Sequence, residues 1–305
     1  MWIVLYLGTN RNFMQPQPLI ELNSSGAAVI AWQLFLQKNG YNVSTADGNF
    51  GPQTQAATMA FQTKNGLTAD GVVGPGTYTV AEQQGFTGTA VQMADFVGID
   101  VAHYDSNDGA NPINWELVKQ DPQNIKFVFV KATDGASGPN SVDQTFATNV
   151  AGAGAVGLPV GAYHFYELGS AATAQASNFI TNTGNHQLLT LPPVLDFELP
   201  VAASAIQQTM DDINTWLEQV EKAFGKTPII YTNPNAWDAL GNPSGFSKYP
   251  LWIADYNSSI APPVLGSWPQ WAFWQFTETG TVQGIVNPAS MDINHYNPAS
   301  GILAV

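Results

Sequence analysis

The stretch PPVLDFE, residues 192–198, is an apolar run that leads into two acidic residues. A run that is apolar on both faces is typical of a strand in a parallel sheet enclosed by helices. Asp196 and Glu198 are two positions apart, and side chains at i and i+2 of a strand point the same way. The stretch therefore predicts a buried strand whose carboxyl end presents two carboxyl groups on one face.

Similar short runs alternate with helical patterns along the second part of the chain. The strand candidates are residues 97–101, 126–131, 160–165, 193–197, 228–231, 251–254, 272–276 and 291–294. The helix candidates are residues 115–120, 142–153, 171–181, 206–224 and 235–240. This alternation predicts an α/β fold, an irregular TIM-like (β/α) barrel of eight strands that lacks its late helices. An open doubly wound sheet is the alternative, but no glycine-rich phosphate loop follows the first strand.

The first part of the chain carries an internal repeat. Residues 47–54 read DGNFGPQT and residues 70–77 read DGVVGPGT, so both fit D-G-x-x-G-P-x-T. Asp-Gly marks a tight turn, and proline suits the first position of a helix. Together with apolar residues at helical spacing, the repeat predicts a small all-α module over residues 21–85. We place an N-terminal arm at residues 1–20, a linker at residues 86–95 and the barrel at residues 96–305.

Charge restricts the partners of this chain of 305 residues. Its formal net charge is −14, and its nine Lys and Arg residues cannot easily form the basic stripe that nucleic acid requires. An anionic membrane or wall polymer would also be repelled at long range. We therefore expect no nucleic-acid or membrane partner, and we expect a monomer.

The apolar start MWIVLYL, residues 1–7, is far shorter than the roughly 20 residues that span a bilayer, and no basic residue precedes it. We interpret it as a strand or packed arm rather than a signal peptide. The chain contains no cysteine, which excludes a thiolate nucleophile and cysteine metal ligands.

Four carboxyl groups are expected to meet at one end of the barrel. Barrel enzymes place their chemistry at the carboxyl ends of the strands. Asp100 lies on the first strand and Asp292 on the last, and these strands become neighbours when the barrel closes. Beside Asp196 and Glu198 they would complete a set in which one pKa rises and another stays low, the division that glycosidases use. Cation binding or helix capping is the structural alternative for the Asp196–Glu198 pair.

Other side chains at the predicted strand ends are candidates for substrate binding. The aromatic candidates for sugar stacking are Tyr163, Tyr231, Trp252 and Trp274, for which packing at the barrel rim is the alternative. Asp255 and Gln275 are polar candidates at the same rim. Lys131 is expected to pair with the carboxylates, because a lone buried lysine is costly.

A zinc site is the remaining possibility among the four histidines. His164 and Glu167 match H-x-x-E, but at the end of a strand positions i and i+3 face opposite sides. No second histidine lies at ligand spacing. We therefore expect no metal and no cofactor, which also argues against a zinc amidase or peptidase.

The barrel region resembles the family 25 glycoside hydrolases, the Chalaropsis-type muramidases. The matching stretches are GIDVAHYD (98–105), FVFVKATDG (127–135), GLPVGAYHFY (157–166), PPVLDFE (192–198), PIIYTN (228–233), LWIADYN (251–257), WAFWQF (271–276) and MDINHY (291–296). Two positions depart from the family pattern, since Ala102 replaces the usual serine and Asp134 the usual glutamate. The first module resembles a peptidoglycan-binding domain at Trp32-Gln33, Phe61-Gln62 and Asp70-Gly71.

The resemblance implies a lysozyme that cuts the β-1,4 bond between N-acetylmuramic acid and N-acetylglucosamine in bacterial peptidoglycan. It implies that Glu198 is the general acid/base, that Asp196 orients the N-acetyl group of the substrate, and that Asp100 and Asp292 support the pair. A direct carboxylate nucleophile stays open. Rival interpretations are a non-catalytic glycan-binding protein and a structural wall or virion component. Without a leader, we expect phage-encoded, holin-type release or non-classical export.

Overall fold

A computed structural model describes residues 19–24, 27–43, 46, 48–86, 96–138, 141–183, 188–257, 262–286 and 290–303. Nearly all of the predicted arm at residues 1–20 and linker at residues 86–95, together with Asp47 of the first turn, lies outside these residues. Contacts divide the chain into two compact units, Met1–Ala90 and Val91–Val305. Among the helices of the described residues, none is long and apolar enough to cross a bilayer.

The described part of the first unit is helical, as predicted. Its helices are α1 (Ala27–Lys38), α2 (Pro52–Lys64) and α3 (Pro75–Gln83). The side chain of Trp32 is completely buried at the centre of the unit. Its ring centroid lies 5.3 Å from those of Phe35 and Phe61 and 5.6 Å from that of Phe86, so one aromatic cluster forms the core.

The repeated sequence has a structural explanation in two buried glutamines. Gln33 accepts a hydrogen bond from the backbone N–H of Gly48 at 2.9 Å and donates to Oγ1 of Thr54 at 2.9 Å. Gln62 makes the equivalent bonds to the turn and helix start at residues 70–77. Each glutamine ties a tight turn to the helix that follows it. The recurring glycine and threonine are therefore explained by construction of the turn.

The second unit is a closed barrel of eight strands, which confirms the predicted fold. The strands are β1 (Val97–Val101), β2 (Ile125–Asp134), β3 (Val160–Phe165), β4 (Val194–Asp196), β5 (Ile229–Thr232), β6 (Leu251–Ala254), β7 (Phe273–Gly280) and β8 (Met291–Tyr296). The helices between them are α4 (Trp115–Lys119), α5 (Phe146–Ala155), α6 (Ala172–Thr183), α7 (Ile206–Phe224) and α8 (Pro234–Ala239).

The last strand runs in a direction that the sequence did not predict. Strands β1 to β7 pair in parallel, whereas β8 is antiparallel to both β7 and β1. Antiparallel strands can be joined by a short connection, while a parallel pair needs a long crossover, and residues 281–290 are too few for one. The reversal places Asp292, near the start of β8, directly opposite Asp100 near the end of β1.

Aromatic rings pack inside the barrel. Phe127 and Phe129 are completely buried on β2 and pack against each other with ring centroids 6.0 Å apart. A Cβ atom on Gly98 would lie 2.4 Å from the ring of Phe127, and one on Gly161 would lie 2.3 Å from the ring of Phe129. The two glycines therefore leave room for these rings between the strands.

Candidate active site

A cavity of about 450 Å³ opens at the carboxyl ends of the parallel strands. Its lining includes nine of the predicted site residues: Asp100, Lys131, Tyr163, Asp196, Glu198, Tyr231, Trp252, Gln275 and Asp292. The four carboxyl groups that the sequence singled out thus converge at one opening, although they come from β1, β4, the residues after β4, and β8.

Two predicted residues, Trp274 and Asp255, do not line this cavity. Phe273 and Gln275 on β7 face the barrel interior, and Trp274 between them faces the opposite side, because neighbouring strand residues alternate. The indole N–H of Trp274 donates to the backbone oxygen of Asp255 at 2.8 Å. Asp255 Oδ1 accepts from the backbone N–H of Asn257 at 3.0 Å. The interpretation of Trp274 as a sugar platform is corrected accordingly, whereas Asp255 as a substrate ligand stays a prediction.

Asp196 and Glu198 form the acidic pair at the end of β4. Asp196 is 8% exposed, and its Oδ1 is buried without a hydrogen-bond partner among the described residues. Burial, and next the charge of Glu198, raise the pKa of Asp196 well above its ordinary value. Burial, and next the charge of Asp100, raise the pKa of Glu198. The sequence predicted one raised and one low pKa, but burial raises both, which favours the protonated form of each carboxyl group.

Asp100 and Asp292 form a second pair. Oδ2 of Asp100 accepts hydrogen bonds from the amide groups of Asn294 at 2.7 Å and Gln275 at 3.1 Å. Burial raises the pKa of Asp100, and these hydrogen bonds oppose the shift. Burial, and next the charge of Asp100, raise the pKa of Asp292 to about 9. At neutral pH Asp292 is therefore protonated and donates a hydrogen bond to the Asp100 carboxylate.

Two amide side chains hold this second pair in place. Gln275 Oε1 accepts from the hydroxyls of Tyr231 at 2.8 Å and Tyr256 at 2.6 Å. Asn294 Oδ1 accepts from the indole N–H of Trp252 at 2.8 Å. Because both amide oxygens already accept hydrogen bonds, the NH₂ groups of Gln275 and Asn294 point toward the carboxylate of Asp100. Sequence reasoning missed Tyr256, because nothing in the pattern of residues 251–257 shows that its hydroxyl reaches β7.

Lys131 has a different partner from the one expected. Its ammonium group lies 2.9 Å from Oδ2 of Asp134 and over the ring of Phe165, 5.0 Å from the centroid. It therefore pairs with a neighbour on its own strand. Its positive charge still opposes the rise in the pKa values of Asp196 and Glu198.

Two further residues of the opening, Tyr104 and Asp105, were not singled out by the sequence. They lie in a short 3-10 helix, His103–Ser106, that follows β1. Asp105 Oδ2 accepts from the backbone N–H of Ala102 at 2.8 Å, and burial is the main cause that raises its pKa to about 6. The available signal was their position directly after the strand that carries Asp100.

The histidine of the H-x-x-E motif is committed to packing. His164 is completely buried, with Nδ1 2.7 Å from Oγ1 of Thr133 and Nε2 3.1 Å from Oε1 of Gln175. Both ring nitrogens thus have protein partners. Across the described parts of the chain, no group of three or more His, Asp or Glu side chains is arranged to hold a metal ion.

Residues 99–285, including three of the four converging carboxyl groups, match the family described as Glycosyl hydrolases family 25. The chain belongs to this family. Residues 25–80 match a family described as Putative peptidoglycan binding domain, and this match covers α1, α2 and the first part of α3. The two matches fall in the two compact units.

Named relatives of this family 25 chain include lysozymes. It is 33% identical to Lysozyme M1 of Streptomyces globisporus over 216 residues, 68% of this chain and 69% of that protein. It is 30% identical to N,O-diacetylmuramidase of Chalaropsis sp over 175 residues, 53% of this chain and 82% of that protein. The crystal structure of a lysozyme from Streptomyces coelicolor superposes with a TM-score of 0.60 at 33% identity, covering 68% of this chain and 95% of that one.

Proposed function

We propose that the chain is a peptidoglycan hydrolase, an N-acetylmuramidase that cleaves the β-1,4 bond between N-acetylmuramic acid and N-acetylglucosamine. The observation that carries this proposal is the convergence of Asp100, Asp196, Glu198 and Asp292 on one cavity large enough for a sugar. Membership of glycosyl hydrolase family 25 and similarity to proteins named lysozyme and N,O-diacetylmuramidase support it.

Glu198 is assigned as the general acid. Its raised pKa favours the protonated form, and a protonated carboxyl group can transfer its proton to the glycosidic oxygen as the C1–O bond breaks. The same group, now a carboxylate, then accepts a proton from the water that attacks C1. One residue thus serves both halves of the reaction.

Asp196 is assigned to the N-acetyl group of the sugar whose bond is cut. Its buried Oδ1 has no partner among the described residues, and an acetamido N–H would supply one. A new hydrogen bond to the charged form lowers the pKa of Asp196, so the proton of the coupled pair resides on Glu198 when substrate is bound. The acetamido oxygen then attacks C1, and the Asp196 carboxylate stabilises the positive charge that develops on the acetamido group.

The remaining lining residues position this pair and the sugar. Asp100, whose negative charge raises the pKa of Glu198, is held by two amide donors and by Asp292. Tyr163, Tyr231 and Trp252 give the cavity aromatic walls, which suit the apolar faces of a pyranose ring. The first unit would hold the chain on the wall while the barrel cuts it, because it matches a peptidoglycan-binding family.

Replacing Glu198 tests the proposal. We expect Glu198→Gln to lower the rate of reducing-sugar release from purified peptidoglycan by about 10³-fold, since it removes the transferable proton. The matched control is Glu278→Gln, another glutamate whose charge reaches Glu198 but which does not line the cavity. This control should retain a rate within a few-fold of wild type. Near wild-type activity of a folded Glu198→Gln variant would refute the assignment.

A further inference from the structure

A second, smaller cleft adjoins the catalytic cavity on the side of the 3-10 helix. It has a volume of about 290 Å³ and is lined by Tyr104, Asp105, Asn107, Asn111 and Val286. Tyr104 and Asp105 line both this cleft and the catalytic cavity, so the two spaces share a wall. We propose that this second cleft is a further glycan subsite, in which a sugar beyond the two at the cleaved bond stacks on Tyr104. The proposal rests on the function proposed above.

Tyr104 has the exposure and the support that a stacking platform requires. It is 66% exposed, although a large aromatic side chain normally gains by burial. Its ring packs on that of His103, with centroids 3.8 Å apart. His103 is anchored by Asp143, whose Oδ2 lies 2.8 Å from Nδ1 and accepts the backbone N–H of His103 at 2.9 Å. The exposed ring is therefore pre-positioned, which reduces the entropy lost when a ligand stacks on it.

Asp143 is itself held firmly in place. Its Oδ1 accepts hydrogen bonds from the backbone N–H of Thr145 at 2.8 Å and from the Thr145 hydroxyl at 2.7 Å. The support of the platform therefore runs from the loop before α5 through the carboxylate and the imidazole to Tyr104. A ring that served only to cover the end of β1 would not need to stand in solvent.

The polar groups of the second cleft suit an uncharged sugar. Asn107 and Asn111 are exposed, and their side-chain amides make no hydrogen bond to another described residue. An amide beside an aromatic face matches the hydroxyl and acetamido groups of a hexosamine together with the apolar face of its ring. Asp105 adds negative charge, and none of the described lining residues is basic, which disfavours the carboxylates of a stem peptide.

The affinity for glycan strands of increasing length distinguishes binding at this subsite from binding in the catalytic cavity. The probes are peptide-free oligosaccharides of alternating N-acetylglucosamine and N-acetylmuramic acid, from two to ten sugars. Affinity is measured by calorimetry. The parent protein is the Glu198→Gln variant, in which the strands stay intact. Three double variants add Tyr104→Ala, Tyr104→Phe or Val264→Ala to this parent. Val264 is an exposed apolar residue of the same unit that lines neither space.

We expect Tyr104→Ala to weaken binding of the longer strands about five-fold or more, and to weaken binding of the disaccharide much less, because the disaccharide meets Tyr104 only at the wall that the two spaces share. Tyr104→Phe and Val264→Ala should bind as the parent does. An equal loss for every length, or no loss for any, would overturn the proposal. So would a loss confined to peptide-bearing strands tested in parallel, because it would assign the cleft to the stem peptide.

These titrations, together with a hydrolysis assay, distinguish failure of the subsite proposal from failure of the proposed function. Hydrolysis of the longest strand by the wild-type chain and by Tyr104→Ala, both with Glu198 in place, tests the enzyme activity separately from binding. If that strand is bound with the expected dependence on length but is not cleaved, the catalytic proposal fails and the subsite stands. If it is cleaved without any dependence on Tyr104, the subsite fails and the catalytic proposal stands.

Discussion

Asp100 raises the pKa of Glu198, although Asp100 does not belong to the Asp196–Glu198 pair. Its charge is the second cause, after burial, that raises the pKa of Glu198, and amide donors from β7 and β8 stabilise that charge. Asp292 faces Asp100 across the β1–β8 ladder and carries a proton at neutral pH. The two residues are thus matched in position but differ in charge.

This difference predicts distinct pH profiles for two isosteric variants. Asp100→Asn removes a negative charge near Glu198, so the pKa of Glu198 falls. Activity requires protonated Glu198, and the alkaline limb of the kcat/KM profile should therefore move to lower pH. Asp292→Asn replaces one neutral group with another at neutral pH, so this limb should stay close to its wild-type position.

The measurement is kcat/KM for a soluble glycan fragment across the pH range in which each variant remains folded. An Asp100→Asn profile that moves to higher pH, or a larger displacement for Asp292→Asn, would contradict the charge assignment. A loss of rate without displacement would mean that Asp100 acts through geometry alone.

At the scale of elements, β3 is joined to the helices outside the barrel through one buried histidine. His164 stacks on Trp216 of α7 with ring centroids 5.5 Å apart, and its Nε2 faces Gln175 of α6. Gln175 donates from its NH₂ group to backbone oxygens, so its Oε1 is left to accept. This arrangement places the imidazole proton on Nε2 and leaves Nδ1 to accept the hydroxyl hydrogen of Thr133.

Burial lowers the pKa of His164 to about 4, whereas an unfolded histidine titrates near 6.5. Between these values the unfolded chain binds a proton that the folded chain does not, so this residue makes the folded state less stable as pH falls from about 6.5 to about 4. We expect the contribution to reach about 3 kcal/mol across that window. His164→Gln should remove it.

Urea unfolding at several pH values gives the free energy of unfolding as a function of pH. The contribution of His164 is the difference between the slopes of this free energy against pH for wild type and for His164→Gln. The control is Phe179→Leu, a neighbour on α6 without a titratable group. It should lower the free energy of unfolding by the same amount at every pH. An unchanged slope in His164→Gln would show that the buried histidine is not the source of the lower stability at acidic pH.

The sequence predicted most elements because their apolar runs and helical periods are local. It did not predict the direction of β8, which depends on the shortness of the connection after β7. It also placed Trp274 with Gln275 in the site, although consecutive strand residues cannot share a face. The pairing of Lys131 with Asp134 and the exposure of Tyr104 depend on side-chain placement, which residue spacing alone does not determine.

At the scale of the whole molecule, the net charge of −14 opposes approach to an anionic wall. Low salt leaves this repulsion nearly unscreened, since the Debye length falls from about 30 Å at 0.01 M to about 8 Å at 0.15 M ionic strength. Digestion of walls that carry an anionic polymer should therefore become about two- to ten-fold faster over that range.

Turbidity loss of purified walls measures this effect. The same walls, chemically stripped of their anionic polymer, are the control and should show a much smaller salt dependence. Faster digestion at low salt would contradict the electrostatic account, because it would require an attractive charge on the surface that approaches the wall.

The most direct test is the identity of the sugar left at each new chain end. Purified peptidoglycan is digested, its reducing ends are reduced with borohydride, and the fragments are analysed by mass spectrometry. Cleavage by the proposed mechanism leaves N-acetylmuramitol at the new ends, and Glu198→Gln should leave almost none. New ends that carry N-acetylglucosaminitol, or fragments released by peptide cleavage, would contradict the assignment of the four carboxyl groups to muramidase chemistry.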